Sequence, residues 1–168
     1  DVAIEGEGFF EVELPSGDLR YTRDGAFRMN AEGGLITMSG YALTSQITIP
    51  QGSQNISVGS DGTVSFTDPA GQNAEAGRLS IVNFANPAGL SSEGANMFAQ
   101  TVASGDPVQA QPGDPGVSTL LGGHLERSNV QVVKELISLI TAQRAYEINS
   151  RAIRAGDEML STTSDIVR

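Results

Sequence analysis

Near the start of the chain Phe10, Val12 and Leu14 alternate with Glu11 and Glu13, which puts three apolar side chains on one face of a strand and two carboxylates on the other. That spacing predicts a half-buried antiparallel edge strand. The pattern continues to Phe84 as short runs of β-branched and aromatic residues, separated by Ser16-Gly17, Asp24-Gly25, Glu32-Gly33-Gly34 and Asp61-Gly62. Such residues tolerate the positive φ of tight turns, so strands are predicted near 19–23, 26–30, 35–38, 42–49, 55–58 and 63–67. Arg78 to Ala85 adds one more, with Leu79, Ile81 and Asn83 on one side and Val82 and Phe84 on the other. Residues 1–85 therefore read as a small all-β domain of antiparallel strands.

The character then changes twice. Residues 86–124 hold Pro87, Pro107, Pro112 and Pro115 among many glycines, and this composition predicts an extended connector with little regular structure, a hinge or a strap across a partner. From Leu125 to Arg168 there is no proline and one glycine, Gly156, and Ser128 or Asn129 is placed to cap a helix. Apolar residues fall seven apart at Val132, Leu139, Tyr146, Ile153, Leu160 and Val167, with Ala145, Ala152, Met159 and Ile166 in an adjacent row. At 1.5 Å per residue this is a continuous stripe about 50 Å long, the seam of a coiled coil. Residues 1–85 offer no second helical stretch of similar length, so the seam is expected to pack on another segment or another subunit. The fold class expected is mainly β with a long C-terminal α-helix.

Composition narrows what such a chain does. One domain is the expectation for 168 residues, and no apolar run is long enough to cross a bilayer. Asp1 to Gly6 lacks a basic region followed by an apolar stretch, so a conventional secretory signal is not expected there. There is no cysteine, which excludes disulfides, thiolate metal sites and a Cys nucleophile. The net charge of −10 is lopsided: residues 1–125 carry four arginines against fourteen Asp and Glu, whereas residues 126–168 carry six of each sign. An acidic surface of that kind argues against a nucleic-acid partner.

The single histidine, His124, stands beside Gly122 and Gly123, so a Ser-His-Asp triad depends entirely on a loop residue. Asp61-Gly-Thr and Asp68-Pro-Ala-Gly resemble pieces of a calcium loop without its dense acidic alternation and read as turns. Gly6-Glu7-Gly8 precedes Phe9-Phe10 and opens no helix, so it is not a phosphate loop. With no Trp, three Tyr and six Phe, stacking platforms for sugars or single-stranded nucleic acid are scarce. No catalytic constellation, cofactor site, metal site or small-molecule substrate is expected.

Several strings together resemble the bacterial flagellar rod and hook family. Ile4-Glu-Gly-Glu-Gly-Phe-Phe-Glu-Val12, Tyr21-Thr-Arg-Asp-Gly-Ala-Phe27 and Gly34-Leu-Ile-Thr-Met-Ser-Gly-Tyr41 are similar to the opening of that family's β domain. Leu125-Glu-Arg-Ser-Asn-Val130, Gln143-Arg-Ala-Tyr-Glu-Ile-Asn149 and Asp157-Glu-Met-Leu160 are similar to its C-terminal axial helix. In the middle, Asp61-Gly-Thr-Val64, Phe84-Ala-Asn-Pro-Ala-Gly-Leu90, Gly94-Ala-Asn96 and Ala103-Ser-Gly-Asp-Pro107 resemble the distal-rod branch. Proximal rod and hook proteins are the alternatives within the family, and a secreted β binding or adhesin module or an acidic hydrolase the alternatives outside it.

The resemblance implies a structural subunit of a hollow, torque-bearing tube in the periplasm-spanning basal body, exported by the flagellar type III system. Its implied partners are further copies of itself, neighbouring rod and hook subunits and the surrounding ring proteins. Val132, Leu136, Leu139, Tyr146, Ile153 and Leu160 are then the expected assembly interface, with Arg144, Glu147 and Arg151 flanking it and setting register. The family opens with an N-terminal helix and an Asn-rich stretch that nothing before Asp1 matches. A chain without that helix is expected to polymerise poorly.

Overall fold

The computed structural model describes residues 1–45 and 47–166, with side chains described as far as Met159. Fourteen strands precede one helix in the described residues. In chain order they are β1 (Val2–Glu5), β2 (Phe10–Glu13), β3 (Leu19–Thr22), β4 (Phe27–Met29), β5 (Leu35–Thr37), β6 (Ala42–Leu43) and β7 (Gln54–Val58). There follow β8 (Thr63–Thr67), β9 (Asn73–Arg78), β10 (Ile81–Asn83), β11 (Ser91–Gly94), β12 (Met97–Ala99), β13 (Val108–Ala110), β14 (Thr119–Gly122) and the helix α1 (Val132–Ile166). The chain divides into two compact units, Asp1–Glu126 and Arg127–Arg168.

All strand pairing in the β unit is antiparallel. Seven strands form one sheet in the order β11-β12-β3-β2-β6-β5-β4, three form β7-β8-β9, and β1 with β14 and β10 with β13 make two further pairs. Turns of the expected chemistry close the local hairpins: Gly17, Gly33 and Gly62 take φ of 86°, 86° and 82° between β2 and β3, β4 and β5, and β7 and β8. Leu14 does not extend β2. Its amide donates to the Asp18 carbonyl and its carbonyl accepts from Gly17, so it opens the turn.

Two apolar clusters make the core, and consecutive residues feed both. Phe10, Val12, Ile49, Val64, Leu79, Ile81 and Leu120 belong to the larger one, each less than 2% exposed. Phe9, Tyr21, Val82 and Phe84 form the smaller, closed by edge-on ring contacts of Phe84 with Phe9 at 5.9 Å and with Tyr21 at 4.7 Å. Because successive side chains of a strand leave on opposite faces, Phe9-Phe10 and Ile81-Val82 each send one residue into either cluster. Phe9 and Val82 exchange both backbone hydrogen bonds, at 2.9 and 2.8 Å. The stretch expected to be a half-buried edge is half-buried, with Phe10 and Val12 inside and Glu13 exposed, but it is not an edge: β2 lies between β3 and β6.

Residues 86–124 also differ from the expectation of an unstructured connector. They carry β11 to β14 and a 3-10 turn at Pro87–Gly89, and Ser104 and Leu120 are almost fully buried. The prolines sit between the strands: Pro107 precedes β13, and Pro112 and Pro115 shape the turn into β14. Each strand is three or four residues long and three of them pair with distant chain, β12 with β3, β13 with β10 and β14 with β1. Strands so short leave no alternation to read, and their partners are set by tertiary packing. The predicted strand at 42–49 shortens to Ala42–Leu43 for a related reason. Ile47 and Ile49 are still buried, but as irregular chain whose Thr48 bridges Gly34.

Candidate assembly surface

The helix follows from what its sequence omits. No residue from Val132 to Ile166 is proline, and Ala, Leu, Glu, Gln and Arg, all strong helix formers, fill much of it. It begins later than Leu125 because Ser128 Oγ accepts from the Val130 amide at 3.2 Å and holds a local turn. The Gln131 carbonyl then accepts the first helical bond, from Glu135 at 3.1 Å, and the Glu135 carboxylate lies in the first turn where the helix dipole favours it.

The predicted seam stands open to solvent. Val132, Leu136, Leu139, Tyr146 and Ile153 are between 52% and 76% exposed. The side chain of Leu160 lies outside the described residues, as does Val167. Of the flanking charges, Glu147 and Arg151 approach one another at 3.9 Å one turn apart, a spacing that supports the helix slightly. Arg144 makes no ion pair among the described residues.

The heptad reading missed part of the surface. Val133, Ile137, Ile140 and Ile148 are also at least half exposed. At 100° per residue Ile137 lies about 140° and Ile140 about 80° round the helix from Val132, so the first turns are apolar well beyond one seam. The density of apolar residues from 132 to 140 carried that signal, which a template of one residue in seven discards.

In the β unit a cleft of about 570 Å³ is lined mainly by Val2, Phe27, Met29, Leu35, Ile49 and Val58, with Asp1, Arg28 and Ser57 as polar members. It holds neither a pair of facing carboxylates nor a histidine beside its serine. His124 Nδ1 instead lies 2.9 Å from the Gly122 carbonyl oxygen. Protonation is displaced elsewhere, for local reasons. Burial pushes the Glu11 carboxyl up, and burial with the facing Glu11 pushes the Tyr21 phenol up. Hydrogen bonds from the hydroxyl and amide of Thr63, at 2.6 and 3.1 Å, hold Asp61 below the usual carboxylate range. A 2.6 Å bond to Glu93 raises the Arg20 guanidinium. These are pairs and turns across or between strands, separate from one another.

Comparison with known proteins places these features. The family model described as flagellar hook protein FlgE/F/G D1 domain matches residues 3–66, and that of the flagellar basal body rod FlgEFG protein C-terminal region matches residues 121–166. The flagellar basal-body rod protein FlgG of Buchnera aphidicola subsp. Schizaphis graminum is 46% identical over 99% of this chain and 64% of its own length. FlgG of Bacillus subtilis is 39% identical over 100% of this chain and 65% of its own length. FlgF of Caulobacter vibrioides is 38% identical over 88% of this chain and 57% of its own. The chain therefore spans somewhat less than two thirds of the curated relatives it matches.

Proposed function

From its membership of the flagellar rod and hook family, to which this chain belongs, we propose that it is a structural subunit of the distal rod. It works by packing rather than by catalysis, in a hollow shaft that crosses the periplasm and carries torque from motor to hook. The observation that carries the reading is the exposed apolar face of α1, a surface that costs free energy in water and is relieved by neighbouring helices. Its width beyond one heptad seam suits a helix with more than one neighbour, as in the inner layer of a tube. Identity of 46% and 43% to two FlgG proteins over 99% of this chain supports the distal position, and the lower match to FlgF makes the proximal rod the second reading.

Further copies of the chain are the main partners, with adjoining rod and hook subunits and the encircling ring proteins as the others. Val132, Leu136, Leu139, Tyr146, Ile153 and Leu160 form the buried seam, and Arg144, Glu147 and Arg151 choose register beside it. Leu139→Asp places a charge in that seam and is expected to abolish polymerisation of the full-length protein, read by sedimentation and by swimming of cells that carry it. Normal filaments from this variant would refute the seam. Arg144→Ala, in parallel, should weaken assembly only slightly.

A further inference from the structure

Three of the strings that resemble the family meet at one side chain. Arg23 follows β3 and spends four N–H donors on four acceptors: Nε on Glu126 Oε2 at 2.7 Å, Nη1 on the Gly8 carbonyl at 3.0 Å, and Nη2 on the Gly6 and Ile4 carbonyls at 3.0 and 3.3 Å. Its acceptors come from 15 to 19 residues before it and 103 after it. The Gly6-Glu7-Gly8 segment is shaped for this. Gly6 and Gly8 have φ of 122° and 135°, and a Cβ on Gly6 would strike the side chain of Ser118, whose hydroxyl donates to the Glu7 carbonyl. Arg23 and Ser118 thus hold the loop from two sides.

Glu126 is the last residue of the β unit. Before it, the Gly123 amide donates to the Asp1 carbonyl at 2.8 Å. Between there and Gln131, among the described residues, no backbone group bonds to the rest of the β unit. Within that stretch the Glu126 carboxylate is held by the planar Arg23 guanidinium, whose fork fixes direction as well as charge.

We propose that Arg23 is the positioning residue for the chain's exit from the β unit: it clamps Glu126 onto the Ile4–Gly8 loop and so fixes where the chain leaves that unit. The loop carbonyls anchor the guanidinium, and Glu126 is the part of the clamp that acts on the exit. That a fixed exit assists assembly rests on the rod reading above; the clamp itself does not.

Backbone NMR relaxation of the chain separates the two. In the wild type, Leu125 and Glu126 are expected to show order parameters near those of rigid backbone, about 0.85. Glu126→Ala, which removes the acceptor, should drop them below about 0.6 while residues of β2, β8 and β10 keep theirs. Arg23→Lys should loosen Ile4 to Gly8 as well, because an ammonium cannot span the three carbonyls. Unchanged order at Leu125 and Glu126 in Glu126→Ala overturns the clamp, and so does a loss spread through the strands. If the exit loosens but the full-length variant polymerises at the wild-type rate, the role in assembly is overturned and the clamp stands.

Discussion

Glu11 and Tyr21 face each other across β2 and β3, and both are held toward their neutral forms. For an acid whose folded pKa is raised, the favourable contribution is complete below the unfolded value and is lost as pH rises through the folded one. At neutral pH the Glu11 carboxylate therefore opposes folding. Glu11→Gln is expected to raise Tm at pH 7, with the gap closing as pH falls toward 4, followed by thermal melts across that range. Asp61 has the opposite sign. Its pKa is lowered, so its contribution is present above the unfolded value and fades as acid protonates it; Asp61→Asn should lower Tm at pH 7 and match the wild type in stronger acid. The turn that Asp61 caps was legible from Asp-Gly-Thr alone, whereas Glu11 looked like an ordinary solvent-facing strand residue. Nothing near it in sequence says that β6 and β3 flank it. Gly25 is a further case. A Cβ there would run into the Val2 carbonyl, whose own amide donates to Gly25 at 3.1 Å. Gly25→Ala should cost about 1–3 kcal/mol in urea unfolding, a matter of room and not of backbone freedom.

Among elements, legibility follows the sequence distance between partners. The hairpins β4–β5 and β7–β8 pair with their neighbours through glycine turns, and pattern plus turn chemistry finds both. The pairs β1–β14 and β10–β13 join remote segments, and a proline-rich stretch hides the later strand of each. Leu120 tests this directly: in a loose connector its truncation would be neutral, but at 1% exposure Leu120→Ala should cost about 2–5 kcal/mol, seen as a lower denaturation midpoint at unchanged m. The helix is the most readable element because 35 residues with no proline and a single glycine leave few alternatives. Its start at Val132 is hard to read because Leu125 to Asn129 lacks the apolar period, and its apolar surface is wider than a heptad shows because Ile137 and Ile140 fall off it.

For the whole molecule the charge distribution matters as much as the seam. The acid excess belongs to the β unit, with the helix segment near balance, so copies of the β unit repel one another. Salt at about 0.15 M screens charges beyond about 8 Å, and assembly by an apolar seam should therefore strengthen from low to moderate salt. Weakening over that range, measured by light scattering, would mean that ion pairs drive association instead. The closure of the β unit has a mechanical consequence. In β1–β14, Val2 faces Gly122 and Glu5 faces Thr119, so Asp1 and Gly123 stand together at one end of the ladder. Pulling those two residues apart would unzip the four pairs one after another, each bond meeting the load alone, instead of shearing them together. Under such stretching the ladder opens at low force from the Val2 end, while a load that leaves Asp1 and Gly123 side by side never reaches it.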